Sequence, residues 1–153
     1  MMINSFHPGL LMILIGALIL VLPDRFKKPC SIVAAASGIL GLFTLNSSSH
    51  LVYQITSDIK LQMIHVDRLS MIFVIIFSII MVINSIYSFD IQDKWEKGVS
   101  VIYGGSIIAA TLAGDIITMI VFWEVAAFSA AYLIYAKHTR RSSRSALRYL
   151  LMH

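Results

Sequence analysis

Long apolar blocks separated by short polar breaks make up most of this chain. The blocks run roughly from Phe6 to Leu22, Cys30 to Leu45, Leu69 to Phe89, Val99 to Ala113 and Ile116 to Tyr135. A helix that crosses a bilayer needs about 20 largely apolar residues, fewer when its ends sit among the headgroups. The pattern therefore predicts five transmembrane helices. A sixth apolar segment opens near Ala146 and is cut short at His153. The expected fold class is all-α and integral to a membrane, with about five transmembrane helices plus a truncated sixth. Its organisation reads as two N-terminal helices over residues 1–45, an external loop over 46–68, and helices three to five with the start of a sixth over 69–153.

The longest polar connection, Asn46 to Arg68, has its own pattern. Leu51-Val-Tyr-Gln-Ile55 and Ile59-Lys-Leu-Gln-Met63 partly alternate and are rich in β-branched residues, with Thr56-Ser-Asp58 between them. That spacing predicts a small external hairpin.

Composition agrees with the apolar blocks. Hydrophobic residues make up 58% of the 153 and charged residues 13%, a balance that belongs to membrane proteins. Charge also sets an expected orientation. Arg25, Lys27, Lys28, Lys94, Lys97, Lys137, Arg140, Arg141, Arg144 and Arg148 fall on one side of the predicted spans, and only Lys60 and Arg68 on the other. Cationic loops stay in the cytoplasm, which places the N-terminus outside. The first block has its basic residues after it, the reverse of a signal peptide. The basic run Arg140-Arg-Ser-Ser-Arg144 reads as an anchor near anionic lipid, with no nucleic-acid partner expected. Cys30 is the single cysteine and reads as a packing residue.

One carboxylate, Glu124, interrupts the most hydrophobic block. A charge at the centre of a membrane helix costs about 2.5 kcal/mol or more, so such a residue is normally retained for function and normally has a partner. Glu124 lies nine residues beyond Asp115, or about 13 Å along a helix, near the middle of a hydrocarbon core about 30 Å thick. Beside a lysine it could hold its charge and exchange a proton when the lysine is displaced; alone it would be neutral. The predicted spans contain no Lys or Arg at that depth. Ala126, Ala127, Ala130 and Ala131, and in the second block Ala34 to Gly41, are small enough for close helix approach. Asp115 reads as the cap of the fifth helix, Asp67 and Arg68 as an interfacial cap or salt bridge, and Asn84 as the strongly polar residue inside the third helix. His7, His50, His65, His138 and His153 lack metal-ligand spacing, so no metal site is expected.

In order along the chain come Val66-Asp-Arg-Leu-Ser-Met-Ile-Phe73, Tyr87-Ser88, Ala113-Gly-Asp-Ile-Ile117, Phe122-Trp-Glu-Val125 with Ser129 and Tyr132-Leu133, and Ala146-Leu-Arg-Tyr-Leu150. These residues resemble the antiporter-like proton-channel subunits shared by NADH:quinone oxidoreductase and the Mrp-type cation/proton antiporters, closest to the branch that holds the D-type member of the Mrp antiporter and the M-type member of complex I. The resemblance covers about Ile64 to the end, and its most specific part is the Phe-Trp-Glu helix. Arg68 departs from it, standing where the family usually has a small residue.

The resemblance implies that Glu124 is the fifth-helix carboxylate of an ion pathway, with Ser129 and Asp115 as supporting residues. It also implies a partner lysine on a broken seventh helix, which this chain lacks. The expected partners are other subunits of an antiporter or respiratory complex, the lipid bilayer, and protons or sodium; the expected location is a bacterial inner membrane or an equivalent energy-transducing membrane. No cofactor is expected, because no NADH, flavin or iron–sulfur motif is present and redox chemistry would belong to partner subunits. Two other readings stay open at this point. One is a truncated, non-transporting remnant or membrane scaffold; the other is an unrelated five-helix transporter in which Glu124 binds substrate.

Overall fold

Short polar side chains set where the helices start. The computed structural model describes residues 7–23, 27–45, 50–54, 60–88 and 93–153. Over these the chain forms α1 (Pro8–Val21), α2 (Lys27–Thr44), β1 (His50–Gln54), β2 (Lys60–His65), α3 (Arg68–Tyr87), α4 (Lys94–Leu112), α5 (Ile116–Tyr135) and α6 (Arg140–Met152). Asp67, Asp93 and Asp115 accept first-turn backbone N–H groups of α3, α4 and α5, from Ser70 at 2.7 Å, Trp95 at 2.9 Å and Thr118 at 2.8 Å. Each satisfies a donor that would otherwise lack an intrahelical partner. Thr139 opens α6 through a capping box with Ser142,.

α4 and α6 begin five or more residues earlier than the apolar pattern predicts, and α2 three. α6 starts at Arg140 rather than Ala146, because the Thr139 box nucleates it and arginine is a good helix former,. α4 starts at Lys94 rather than Val99, which takes Lys94, Glu96 and Lys97 into the helix. Phe6, Arg25, Asn46 to Ser49, the Thr56-Ser-Asp58 turn and Phe89 lie outside the described residues.

The fold is mostly helical. Two helices, Arg68–Tyr87 and Ile116–Tyr135, are long and apolar enough to cross a membrane. The remaining predicted spans fall short among the described residues. α1 is apolar, but its 14 residues rise about 21 Å against a hydrocarbon core of about 30 Å. The apolar stretch of α2 covers Pro29–Gly41, and α4 opens with three charged residues near its start.

Backbone contact between α1 and α4 is the closest packing in the bundle. A methyl group built on Gly9 would lie 2.6 Å from both the Gly105 oxygen and the Ala109 nitrogen, and one on Gly16 would lie 2.9 Å from the Gly98 oxygen. Gly9 meets Gly105 and Gly16 meets Gly98, so the two helices run antiparallel with glycine facing glycine at seven-residue intervals. The α2 run behaves as the small-residue reading expects: Ala34, Ser37, Gly38 and Gly41 are all buried, and Gly38 sits against Met12 and Ser78.

Around these contacts, Met12, Val74, Met81, Ile108 and Leu112 form one core with Ile64 and Val66 from the segment before α3. Ile19, Ala34 and Val101 form a second. Asn84 finds its partner across the α3–α4 interface, donating from Nδ2 to Ser100 Oγ at 2.7 Å. Between α2 and α3 in sequence, β1 and β2 pair antiparallel, with His50 opposite His65 and Gln54 opposite Lys60 and an irregularity between Leu51 and Val52.

Gly9→Ala should therefore destabilise the fold by about 1–3 kcal/mol, the range for forcing atoms into a packed interior. Gly38→Ala, whose added carbon stands 3.4 Å from the Met12 sulfur, should leave the thermal midpoint unchanged or raise it through helix propensity. Thermal unfolding of the two variants in the same detergent compares them.

Candidate functional site

α5 is buried on one side at Thr118, Phe122 and Ser129, and in its C-terminal half also on another at Ala127 and Ala131,. Ile117, Ile120, Val121, Trp123 and Phe128 are exposed. Glu124 is exposed with them. Its position follows from helical periodicity, since residues 117, 120, 121, 124 and 128 are spaced three and four apart. The carboxylate thus stands in an apolar stripe. Among the described residues no hydrogen bond or ion pair reaches it.

Small residues follow Glu124 on its own face of the helix. Ala127 and Ala131, three and seven residues beyond Glu124, lie on the same face of α5 as the carboxylate and are buried toward the C-terminal end of the helix, where Ala131 lines a recess with Ala146 of α6. Ser129 is buried and its Oγ donates to the Val125 carbonyl at 2.7 Å; it does not meet Glu124. Trp123, next to Glu124, donates from Nε1 to His153 Nε2 at 2.8 Å, and Tyr149 stacks on the same imidazole. These contacts hold the last turn of α6 to the middle of α5.

Asp115 does two jobs. Its Oδ1 caps α5 through Thr118 N, its Oδ2 accepts from Thr118 Oγ1 at 2.6 Å, and the same Oδ2 accepts from the Gln62 backbone N–H of β2 at 2.7 Å. The Gly114 N–H in turn donates to the Gln62 oxygen at 2.8 Å. Both backbone groups of Gln62 are therefore taken up by the α4–α5 turn, which anchors the hairpin across the end of the bundle. Desolvation pushes the Asp115 carboxyl upward, but the hydrogen bonds from Thr118, Gln62 and Ile117 outweigh it and hold the group below the usual aspartate value,.

A second tie, through His7, has no sequence signal beyond a histidine before Pro8. Its Nδ1 accepts from the Leu10 N–H at 3.3 Å, so Nδ1 is unprotonated and Nε2 carries the hydrogen that it donates to the Met63 carbonyl at 3.2 Å. The ring leans on Phe122 with centroids 5.9 Å apart. The neutral imidazole thus joins α1, β2 and α5 at one point. Desolvation lowers its pKa, and the opposing pull of the Met63 carbonyl is smaller.

The charge pattern groups Lys97 with the loop cations, yet its side chain is fully buried in the first turn of α4. It lies sixteen residues before Ala113, or about 24 Å from the α4–α5 turn, while Glu124 is about 13 Å from it. The two charges are thus separated by about 11 Å along the bundle axis. Among the described residues no group of three or more His, Cys, Asp or Glu gathers to hold a metal ion.

In comparisons with known proteins, no family model and no curated protein matches the chain.

The His7 tie gives stability a direction with pH. Its folded pKa is below the unfolded value of 6.5, so the unfolded state binds more protons, and stability that is complete above 6.5 is lost as pH falls below it. The thermal midpoint of the protein should drop between about pH 7.5 and 5.5. In His7→Asn, which keeps a capping side chain, that part of the pH dependence should vanish.

Proposed function

We propose that this chain lies in a membrane as part of an antiporter-like, proton-translocating subunit and contributes Glu124 to its ion pathway. One observation carries the reading. Glu124 stands on the exposed, apolar side of a 20-residue apolar helix, where a carboxylate is costly unless another element brings it a partner. The Phe122-Trp-Glu-Val125 helix, the Gly114-Asp115 turn and the Val66 to Phe73 segment support the family assignment by resemblance.

In this reading all the helices cross or enter the bilayer together. α3 and α5 span it by their own length, and α1, α2 and α4 span as bundle partners whose polar or short ends reach the headgroup region. The N-terminus and the hairpin lie outside, with the basic turns in the cytoplasm. The location is an energy-transducing membrane such as the bacterial inner membrane.

The mechanism is an exchange of charge partners. A lysine from a helix beyond those described would hold Glu124 ionised when close; on its withdrawal the carboxylate takes up a proton, and on its return releases it. The cycle couples proton movement to sodium exit or to quinone reduction in partner subunits. The described residues supply the acidic half of that exchange.

The test is Glu124→Gln in the assembled complex, read as sodium- or proton-coupled transport in everted vesicles. Transport is expected to fall at least tenfold while the amount of membrane-inserted protein stays the same. Retained coupled transport would remove Glu124 from the pathway and favour the scaffold reading.

A further inference from the structure

The turn from α5 to α6 forms a recess with the chemistry of a phospholipid headgroup site. Ala136 closes α5, His138 takes a left-handed conformation with φ of 48°, and Thr139 starts α6, so the chain reverses sharply. The recess inside that reversal measures about 470 Å³ and is lined by Lys137, Arg141, Thr139, Ser142, Ser145, and Leu133 and Ile134.

The lining is ordered by polarity. Leu133 and Ile134 come from the last turns of the apolar α5 helix, while the cations and hydroxyls come from the turn and the start of α6. Ser142 is occupied by the capping box, its Oγ donating to the Thr139 carbonyl at 2.9 Å. Thr139 Oγ1 accepts from the Ser142 N–H at 3.0 Å and keeps its own proton to donate. Lys137, Arg141 and Ser145 stand at the rim.

Charge around the recess has one sign. α6 has no Asp or Glu and carries Arg140, Arg141, Arg144 and Arg148. Arg141 and Ser145 also line a neighbouring trough with Arg140, Arg144 and Arg148. The carboxylates nearest this end among the described residues, Asp93 and Glu96, act on Tyr132 of α5 and line neither recess. A cationic, hydroxyl-bearing rim above an apolar floor fits a ligand that is anionic at one end and apolar at the other. Free phosphate would use only the rim, and a nucleic acid would leave Leu133 and Ile134 without contact.

We propose that this recess binds the phosphodiester of an anionic glycerophospholipid, with Lys137 and Arg141 on the phosphate, Thr139 and Ser145 donating hydrogen bonds, and the acyl chains descending along Leu133 and Ile134. The proposal rests on the membrane reading above. Each cation near a bilayer surface adds to the attraction for anionic lipid. Removing two should weaken binding by at least about tenfold.

The experiment uses the whole protein. Carbonate-washed membranes first show whether it is integral; recovery in the soluble fraction would overturn the membrane reading itself. The protein is then purified in mild detergent and titrated with phosphatidylglycerol or phosphatidylcholine, and bound lipid is counted by native mass spectrometry. Phosphatidylglycerol is expected to bind and phosphatidylcholine to bind at least tenfold more weakly. Lys137→Gln/Arg141→Gln should lose at least tenfold in phosphatidylglycerol affinity, while Arg140→Gln/Arg144→Gln/Arg148→Gln stays within about threefold of the unaltered protein. Equal binding of the two lipids would overturn the site, as would equal losses in the two variants, which would mark a diffuse basic surface. Displacement of the lipid by millimolar inorganic phosphate would replace it with a free-phosphate site.

Discussion

The fold depends on α1 and α4 meeting backbone to backbone. Gly9 and Gly16 on one helix and Gly105 and Gly98 on the other leave no room for a side chain at either crossing. In the membrane setting proposed above, where apolar side chains gain little by leaving their surroundings, such close contact is a main source of helix association. The contact also fixes the end of the molecule. It seats Pro8 against Gly41 of α2 and places His7, one residue earlier, within reach of Met63 and Phe122. From there the hairpin is tied to Gly114 and Asp115. A loss at the glycines would therefore be felt at the hairpin.

The same geometry decides what α5 can do. One side of α5, at Thr118, Phe122 and Ser129, faces the bundle, and Glu124 stands exposed on another, one to two turns before the buried Ala127 and Ala131 of that same face,. Ser129 is buried on the side of α5 away from Glu124, and Ala127 and Ala131 pack on the carboxylate's own face further along the helix,. Asp115 holds the turn and the hairpin rather than meeting Glu124. Of the three site residues that the family resemblance brings forward, Glu124 is the exposed one.

Much of the helix layout is readable from apolar blocks. α5 starts and ends where its block does, and the hairpin strands fall on the two β-branched runs. The misplacements share a cause. Block edges mark where apolarity stops, whereas helices start at caps, so the Asp93 and Thr139 caps extend α4 and α6 into charged sequence. Lys97 is a helical, buried residue for that reason. Of the five predicted spans, two described helices are long and apolar enough to cross a membrane by themselves, because stretches such as α1 keep their apolar pattern for fewer residues. The glycine pairs are visible as two seven-residue spacings, but their meeting depends on which helices pack, and spacing alone does not say that. His7 carries no local signal; its role needs β2 and α5 beside it. The exposure of Glu124 likewise depends on which side of α5 the neighbours occupy.

The glycine contact also has a consequence for biosynthesis. Gly9 and Gly105 are nearly a hundred residues apart, and ribosomes add about 5–20 residues per second. For several seconds α1 exists without the helix it seats on, and its nearest available neighbour is α2, which touches it through Gly41 and Gly38. The α1–α2 pair must therefore hold its orientation on its own until α4 is made. Final assembly is a late, non-local step, and a helix waiting with bare glycine backbone on one side is the point where a chaperone would have the most to protect.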